Sequence, residues 1–260
     1  MALSIIILAI LQGLAEFLPI SSSGHLVLGK TLLNIDFSSM SGATMEVFLH
    51  FGTLIAIIIY YRKKIWSMTR ILVMGKFSEP DSREPLFVLW ASIPAGVFGT
   101  VFGDFLESLF SAPRIAAIML MITGVFLLST KLIKQTRNKK LNLLNTMIIG
   151  FAQAFAILPG ISRSGATITA ALWLGIEPER AAEFSFILAI PALLGATIIK
   201  ALDCIKSDVL FNPMLLVGII ISAVVGYAAL AILIPIIRKG KFWAFGIYCI
   251  AIGVAAVCIV

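Results

Sequence analysis

Charge is what this sequence has least of. Of its 260 residues, 13% are Asp, Glu, Lys or Arg and 60% are apolar, against about 25% charged residues in an average soluble domain. A globule of this size could not hide so much apolar surface, so water is excluded as the main solvent. Strands that alternate apolar and polar residues are missing, which excludes an outer-membrane barrel. Cysteine is scarce as well. Cys204, Cys249 and Cys258 form no CxxC and stand beside no histidine, so neither a disulfide framework nor a zinc site is expected and they read as small apolar residues. The net charge of +7 does not point to nucleic acid, because the basic residues sit in loops between apolar segments. No basic residue precedes the apolar stretch 3–11, and Gln12, Glu16 and Pro19 follow it at once, so a cleaved signal peptide is not expected.

What is present is a series of long apolar runs. Six segments, 44–61, 86–106, 114–133, 180–200, 213–237 and 242–260, are long enough to cross a hydrocarbon core. Two more, 3–32 and 143–176, are too long for loops and too interrupted by Gln, Pro, Gly, Ser, His and Arg for clean spans. A helix that enters, breaks and returns fits both, since irregular backbone at membrane depth must be buried in protein or line a wet cavity. The expected fold is an all-α polytopic membrane protein, one integral membrane domain over 1–260, with about six transmembrane helices and two re-entrant helix pairs. Loop charge orients it. Residues 62–85, 131–140, 177–182 and 238–241 hold fifteen Lys and Arg, while the other side holds Lys30, Arg114, Lys200 and Lys206. The first side is therefore expected in the cytoplasm, with Trp66, Trp90 and Trp243 at its boundary and both termini outside.

The two broken segments align with each other. Gln12 to Gly24 superposes on Gln153 to Gly165 at a constant offset of 141, with Gln, Ala, Ile, two Ser and Gly coinciding. Three spans separate the copies, so the second is upside down, and the halves run over approximately 1–133 and 134–260. One hairpin dips in from each side, and their polar tips are expected to meet within the membrane.

Ionisable residues at depth are functional candidates by default. Arg163 stays charged in any surroundings. If the tips meet, Ser21, Ser22, Ser23, Ser162, Ser164 and Gly165 surround it, forming a receptor for phosphate or carboxylate. Gln12 and Glu16 share a helical face and could hold a divalent cation through oxygen, with phosphate oxygens completing the shell. Glu16 could also pair with Arg163. Ser22 and His25, three residues apart, supply a nucleophile and a base. His50 lies in a plain apolar span and reads as a packed histidine. Glu46 and Glu183 are set behind the site.

Gln12-x-x-x-Glu16 with Phe-Leu-Pro-Ile-Ser-Ser-Ser-Gly-His25, and Pro159-Gly-Ile-Ser-Arg163-Ser-Gly-Ala-Thr167, resemble the undecaprenyl-pyrophosphate phosphatases linked to bacitracin resistance, over essentially the whole chain. The resemblance implies hydrolysis of undecaprenyl diphosphate to the monophosphate and phosphate, which recycles the lipid carrier of bacterial cell-wall synthesis. It also implies interlocked inverted repeats in the bacterial cytoplasmic (inner) membrane, a site open to the periplasmic or outer side, and a divalent cation, Mg2+ or Ca2+. Carried over by residue, Glu16 and Gln12 form the acidic motif and cation site, Ser22 is the nucleophile, His25 its partner and Arg163 the phosphate clamp, with Thr167 in the second motif. Many members have Glu where this chain has Gln12, which weakens a two-carboxylate metal site. The acid-phosphatase-type lipid phosphatases are disfavoured, because they place a second histidine where Thr169 stands. The partners implied are a polyprenyl diphosphate and the bilayer, without nucleic acid; the oligomeric state, a homodimer included, stays open. The rival class is a lipid or anion transporter, or flippase, built on inverted repeats.

Overall fold

A computed structural model describes residues 2–32, 42–75, 77, 80–133, 139–205 and 213–260. Among them the ordered elements are all helical. The first broken segment forms α1 (Ala2–Phe17) and α2 (Ser22–Leu32). Then come α3 (Gly42–Tyr60), α4 (Arg62–Met74), α5 (Glu84–Val101), α6 (Gly103–Leu109) and α7 (Pro113–Ser129). The second broken segment forms α8 (Leu143–Phe155) and α9 (Arg163–Trp173). The chain ends with α10 (Pro178–Ile205), α11 (Pro213–Arg238) and α12 (Ala244–Ile259).

Among the described residues, four stretches are long and apolar enough to cross a membrane: Glu84–Val101, Pro113–Leu132, Pro178–Ile198 and Pro213–Arg238. They coincide with four of the six expected spans, and the protein is a membrane protein. The expected spans 44–61 and 242–260 fall on shorter apolar helices, Phe48–Tyr60 and Ala244–Ile259. The expected span 86–106 is not one helix: α5 ends at Val101, and the chain restarts as α6 at Gly103. Residues 62–74, read only as a charged connection, are helical as α4, which closes on Gly75 in the left-handed conformation; glycine adopts it without a Cβ penalty.

The outer faces of α1 and α8 obey the repeat side chain by side chain. Leu3, Ile7, Ile10 and Leu14 are exposed on α1, as are Leu144, Ile148, Phe151 and Phe155 on α8, each pair related by the offset of 141. The 4-3-4 spacing makes one apolar stripe per helix, while Gln12 and Gln153 point inward, fully or almost fully buried. Each of these helices packs on a helix of the other half of the chain, α1 along α11 and α8 along α5. Gly13 makes the first approach possible: a Cβ there would stand 2.9 Å from the Ser222 carbonyl oxygen. α7 and α12 cross through reciprocal glycines, a Cβ on Gly124 falling 2.8 Å from the Gly246 carbonyl oxygen and one on Gly246 falling 2.6 Å from that of Gly124. Small residues let backbones approach where lipid supplies no hydrophobic drive between helices.

The residues expected on the basic side converge at one end of the bundle. Glu84, 2% exposed, accepts from Lys64 and Arg180, both at 2.6 Å. Glu183 bonds Arg180 and lies 3.2 Å from Lys64. Arg238 pairs with Glu179, and the Lys131 ammonium sits over Trp243 at 4.8 Å. Glu183 thus belongs to an ion cluster joining α4, α5 and α10. The side chains of Glu46, Lys30, Lys200 and Cys204, and all of Lys206, lie outside the described residues. Cys249 is buried and Cys258 exposed, both free.

Candidate active site

The two broken segments bring their tips together. A Cβ on Gly24 would lie 2.9 Å from the Cα of Gly160, and one on Gly165 would lie 3.5 Å from the Pro19 Cβ. Each tip opens a helix with a serine cap. Ser21 Oγ accepts from the Gly24 N–H at 3.2 Å, and Ser162 Oγ accepts from the Gly165 N–H at 3.1 Å. Such caps satisfy N–H groups that have no partner within the helix. In each tip the capping hydroxyl also lies 3.3 Å from the hydroxyl two residues on, Ser23 in one and Ser164 in the other. The backbones differ. Ser21 itself is left-handed, with φ of 66°, whereas Ser162 is extended and Gly160, two residues earlier, takes the positive φ of 96°. A non-glycine residue in that region is uncommon and strained.

α7 and α12 hold the tips. Thr123 on α7 donates to the Gly160 carbonyl at 2.8 Å and accepts from the Ser162 N–H at 3.0 Å. On α12 the Cys249 thiol approaches the Pro19 carbonyl at 3.5 Å. Pro19 and Gly160 are again equivalent at the offset of 141.

Glu16 is the centre of the site, 6% exposed. Its Oε1 accepts from Arg163 at 2.6 Å, a pair that links the two tips. Its Oε2 accepts from the Gln12 amide at 2.8 Å and from the Ser22 hydroxyl at 2.9 Å. Burial of a carboxylate and a guanidinium is tolerable because each is the other's counter-ion and further hydrogen bonds complete the shell. Among the described residues, the second terminal nitrogen of Arg163, NH1, has no hydrogen-bond partner, and neither has Gln12 Oε1. The structure therefore joins Gln12, Glu16, Ser22 and Arg163 around one carboxylate.

Other expected residues are placed differently. Helix α2 does put His25 one turn beyond Ser22, but its ring is engaged elsewhere. Nδ1 lies 2.9 Å from the Ser21 carbonyl and Nε2 lies 2.9 Å from the Tyr248 hydroxyl on α12. A carbonyl only accepts, so Nδ1 carries a proton, and Nε2 is left to the Tyr248 hydroxyl. Thr167 is fully buried, with its hydroxyl between the Arg163 carbonyl at 2.8 Å and Ser185 on α10; it fixes the helix that carries Arg163. His50, set aside as a packed residue, instead reaches the site: Nε2 lies 3.4 Å from Glu16 Oε2. An ionisable side chain in an apolar span was the signal for it. Tyr248 carried none, since its partner is 223 residues away.

A buried carboxylate–guanidinium pair with serine-capped helix starts, enclosed by apolar helices, defines a multi-pass membrane protein with an internal polar site. Comparison with known proteins narrows that class. Residues 5–255 match the family described as bacitracin resistance protein BacA, and the chain belongs to that family. It is 39% identical over 258 residues to an undecaprenyl-diphosphatase of Korarchaeum cryptofilum, covering 96% of each chain. It is 40% identical over 254 residues to one of Halothermothrix orenii, covering 96% of this chain and 95% of the relative. A third, of Salinibacter ruber, is 38% identical over 259 residues, covering 95% of each.

Proposed function

We propose that this chain is an undecaprenyl-diphosphatase, a membrane hydrolase that converts undecaprenyl diphosphate to the monophosphate and phosphate. Its full-length relatives carry that name, and its family is that of bacitracin resistance. One observation carries the assignment to this site: a single carboxylate, Glu16, accepts the Ser22 hydroxyl and pairs with Arg163 across the two tips.

Arg163 holds the diphosphate, with NH1 the nitrogen left without a partner. The N-termini of α2 and α9 converge there, and helix N-termini favour anions. Glu16 takes the Ser22 proton as Oγ bonds to the terminal phosphorus. The bridging P–O bond breaks, and its electron pair leaves with the lipid monophosphate. Water then cleaves the phosphoserine, releasing phosphate and restoring the hydroxyl. Rate comes mainly from positioning and charge neutralisation, as in phosphoryl transfer generally. Ser21, Ser23, Ser162, Ser164 and Gly165 shape the tips, and His25, held by Tyr248, fixes the start of α2.

Glu16 is the carboxylate at these tips among the described residues, and one carboxylate binds a divalent cation weakly. Gln12 Oε1, buried and without a partner, is a second oxygen donor. Glu16 and Gln12 are the residues that would hold Mg2+ or Ca2+ at this site. When bound it neutralises diphosphate charge.

The architecture we infer is an interlocked inverted repeat of about six spans and two re-entrant pairs, with halves near 1–133 and 134–260. The exchange of α1 onto α11 and α8 onto α5, and the matched stripes and caps, support it. The ion-cluster end faces the cytoplasm by the excess of basic residues. The site opens outward, recycling the lipid carrier of cell-wall synthesis.

The test is purified protein in detergent with undecaprenyl diphosphate and Mg2+ or Ca2+. Equal amounts of phosphate and lipid monophosphate are expected. No phosphate with either cation would overturn the hydrolase and favour transport of the intact lipid.

A further inference from the structure

We propose that a groove between α7, α8 and α9 binds the polyprenyl chain of the substrate, an inference that rests on the hydrolase reading above. The groove encloses about 430 Å³. Its floor is Ala152 of α8 with Ala166, Thr169 and Ala170 of α9, and its walls are Phe126, Phe155 and Trp173. The three aromatic residues are exposed on the lipid-facing surface, so a chain can enter sideways from the bilayer. The Trp173 indole N–H donates to the Ser129 hydroxyl at 2.9 Å, which satisfies the polar atom of that wall.

Continuity with the polar site selects the occupant. Arg163, Ala166, Ala170 and Trp173 are spaced 3-4-3, so they lie on one face of α9. Arg163, whose guanidinium pairs with Glu16, is the first position of the strip that becomes the groove floor. From Ala166 to Trp173 that strip runs about 10 Å along the helix. A ligand with its anionic head at Arg163 has its tail in the groove. Small flat residues below and aromatic faces at the sides suit a thin, methyl-branched, unsaturated chain without polar groups.

The groove also belongs to one repeat. At the offset of 141, the floor positions Ala152, Ala166 and Ala170 correspond to Leu11, His25 and Gly29, and the His25 ring reaches across to Tyr248. At two of these three positions the second half carries alanine where the first half carries bulk.

The experiment compares chain lengths. Wild type and Ala170→Phe, purified in detergent, are assayed with undecaprenyl diphosphate and with the short farnesyl diphosphate. Filling the groove is expected to lower the ratio of kcat/KM for the long over the short substrate by about tenfold or more, the scale of a few displaced methylene contacts. An unchanged ratio with a folded variant overturns the groove while leaving the hydrolase intact. If neither substrate yields phosphate with wild type, the hydrolase reading falls instead. A second measurement needs no variant: wild type is photolabelled with a polyprenyl diphosphate carrying a diazirine on its chain. Adducts on the peptides bearing Phe155 and Trp173 are expected. Adducts confined to other helices, or equal labelling of these peptides by a diazirine phospholipid present at the same concentration, overturn it.

Discussion

Glu16 has more partners than any single role requires. Arg163, Ser22, Gln12 and His50 all address its two oxygens. Glu16→Gln removes both the acceptor for the Ser22 proton and the counter-ion of Arg163. Phosphate release should fall by about 100-fold or more, the scale of a general base, and a thermal melt should show a loss of about 3 kcal/mol for the broken buried pair. Arg163→Lys keeps the charge but loses the planar fork, and most of the activity should go with it in the same assay. Tyr248→Phe is expected to behave otherwise. It removes one hydrogen bond to His25, worth about 1 kcal/mol of stability, and leaves a measurable rate, because the reacting groups keep their contacts. The Glu16–Arg163 pair was legible in the sequence because charge at depth is costly and both residues interrupt apolar runs. The direction of His25 was not. The three-residue spacing to Ser22 is real, but the ring follows a partner on α12 that no local spacing records. His50 was hidden because its span is otherwise unbroken.

At the scale of elements, the active geometry depends on two helix starts touching. Gly24 faces the Gly160 backbone with no room for a methyl group, a Cβ coming within 2.9 Å of Cα. Gly24→Ala should push the tips apart, costing about 1–3 kcal/mol by overpacking, and should separate Arg163 from Glu16, so that hydrolysis drops by more than the stability loss explains. Comparing melting temperature with phosphate release checks this. Helix α8 starts on a capping box in which Asn142 and Asn145 exchange backbone and side-chain hydrogen bonds at 2.9 and 2.8 Å. The broken segments were recognisable because Pro, Gly and Ser cannot continue a helix in lipid unnoticed. Helix α4 was missed. Its four basic residues read as a connection, although Lys64, Met68 and Ile71 already shared the face that turns inward.

For the whole molecule, the two halves are stabilised by each other. α1 lies on α11, α8 on α5, and α7 crosses α12 at facing glycines. The ion cluster of Lys64, Glu84, Arg180 and Glu183 lies at the basic end, which the excess of Lys and Arg leads us to expect in the cytoplasm. With Cys204, Cys249 and Cys258 replaced by serine or alanine, an impermeant maleimide should label Arg114→Cys in intact cells and Lys239→Cys only after lysis. The reverse pattern would invert the topology. Four of the six expected spans were legible from length and apolarity, but the exchange of helices between halves was not. Periodicity reports which face of a helix is apolar, and in lipid the partner is chosen by small residues such as Gly13 and Gly124, whose fit appears only in three dimensions. The central claim is that the meeting tips hydrolyse a lipid diphosphate through Ser22, and phosphate release by purified Ser22→Ala beside wild type tests it most directly. Wild type should release phosphate from undecaprenyl diphosphate while the variant, equally folded, releases almost none; activity near wild type would contradict the account.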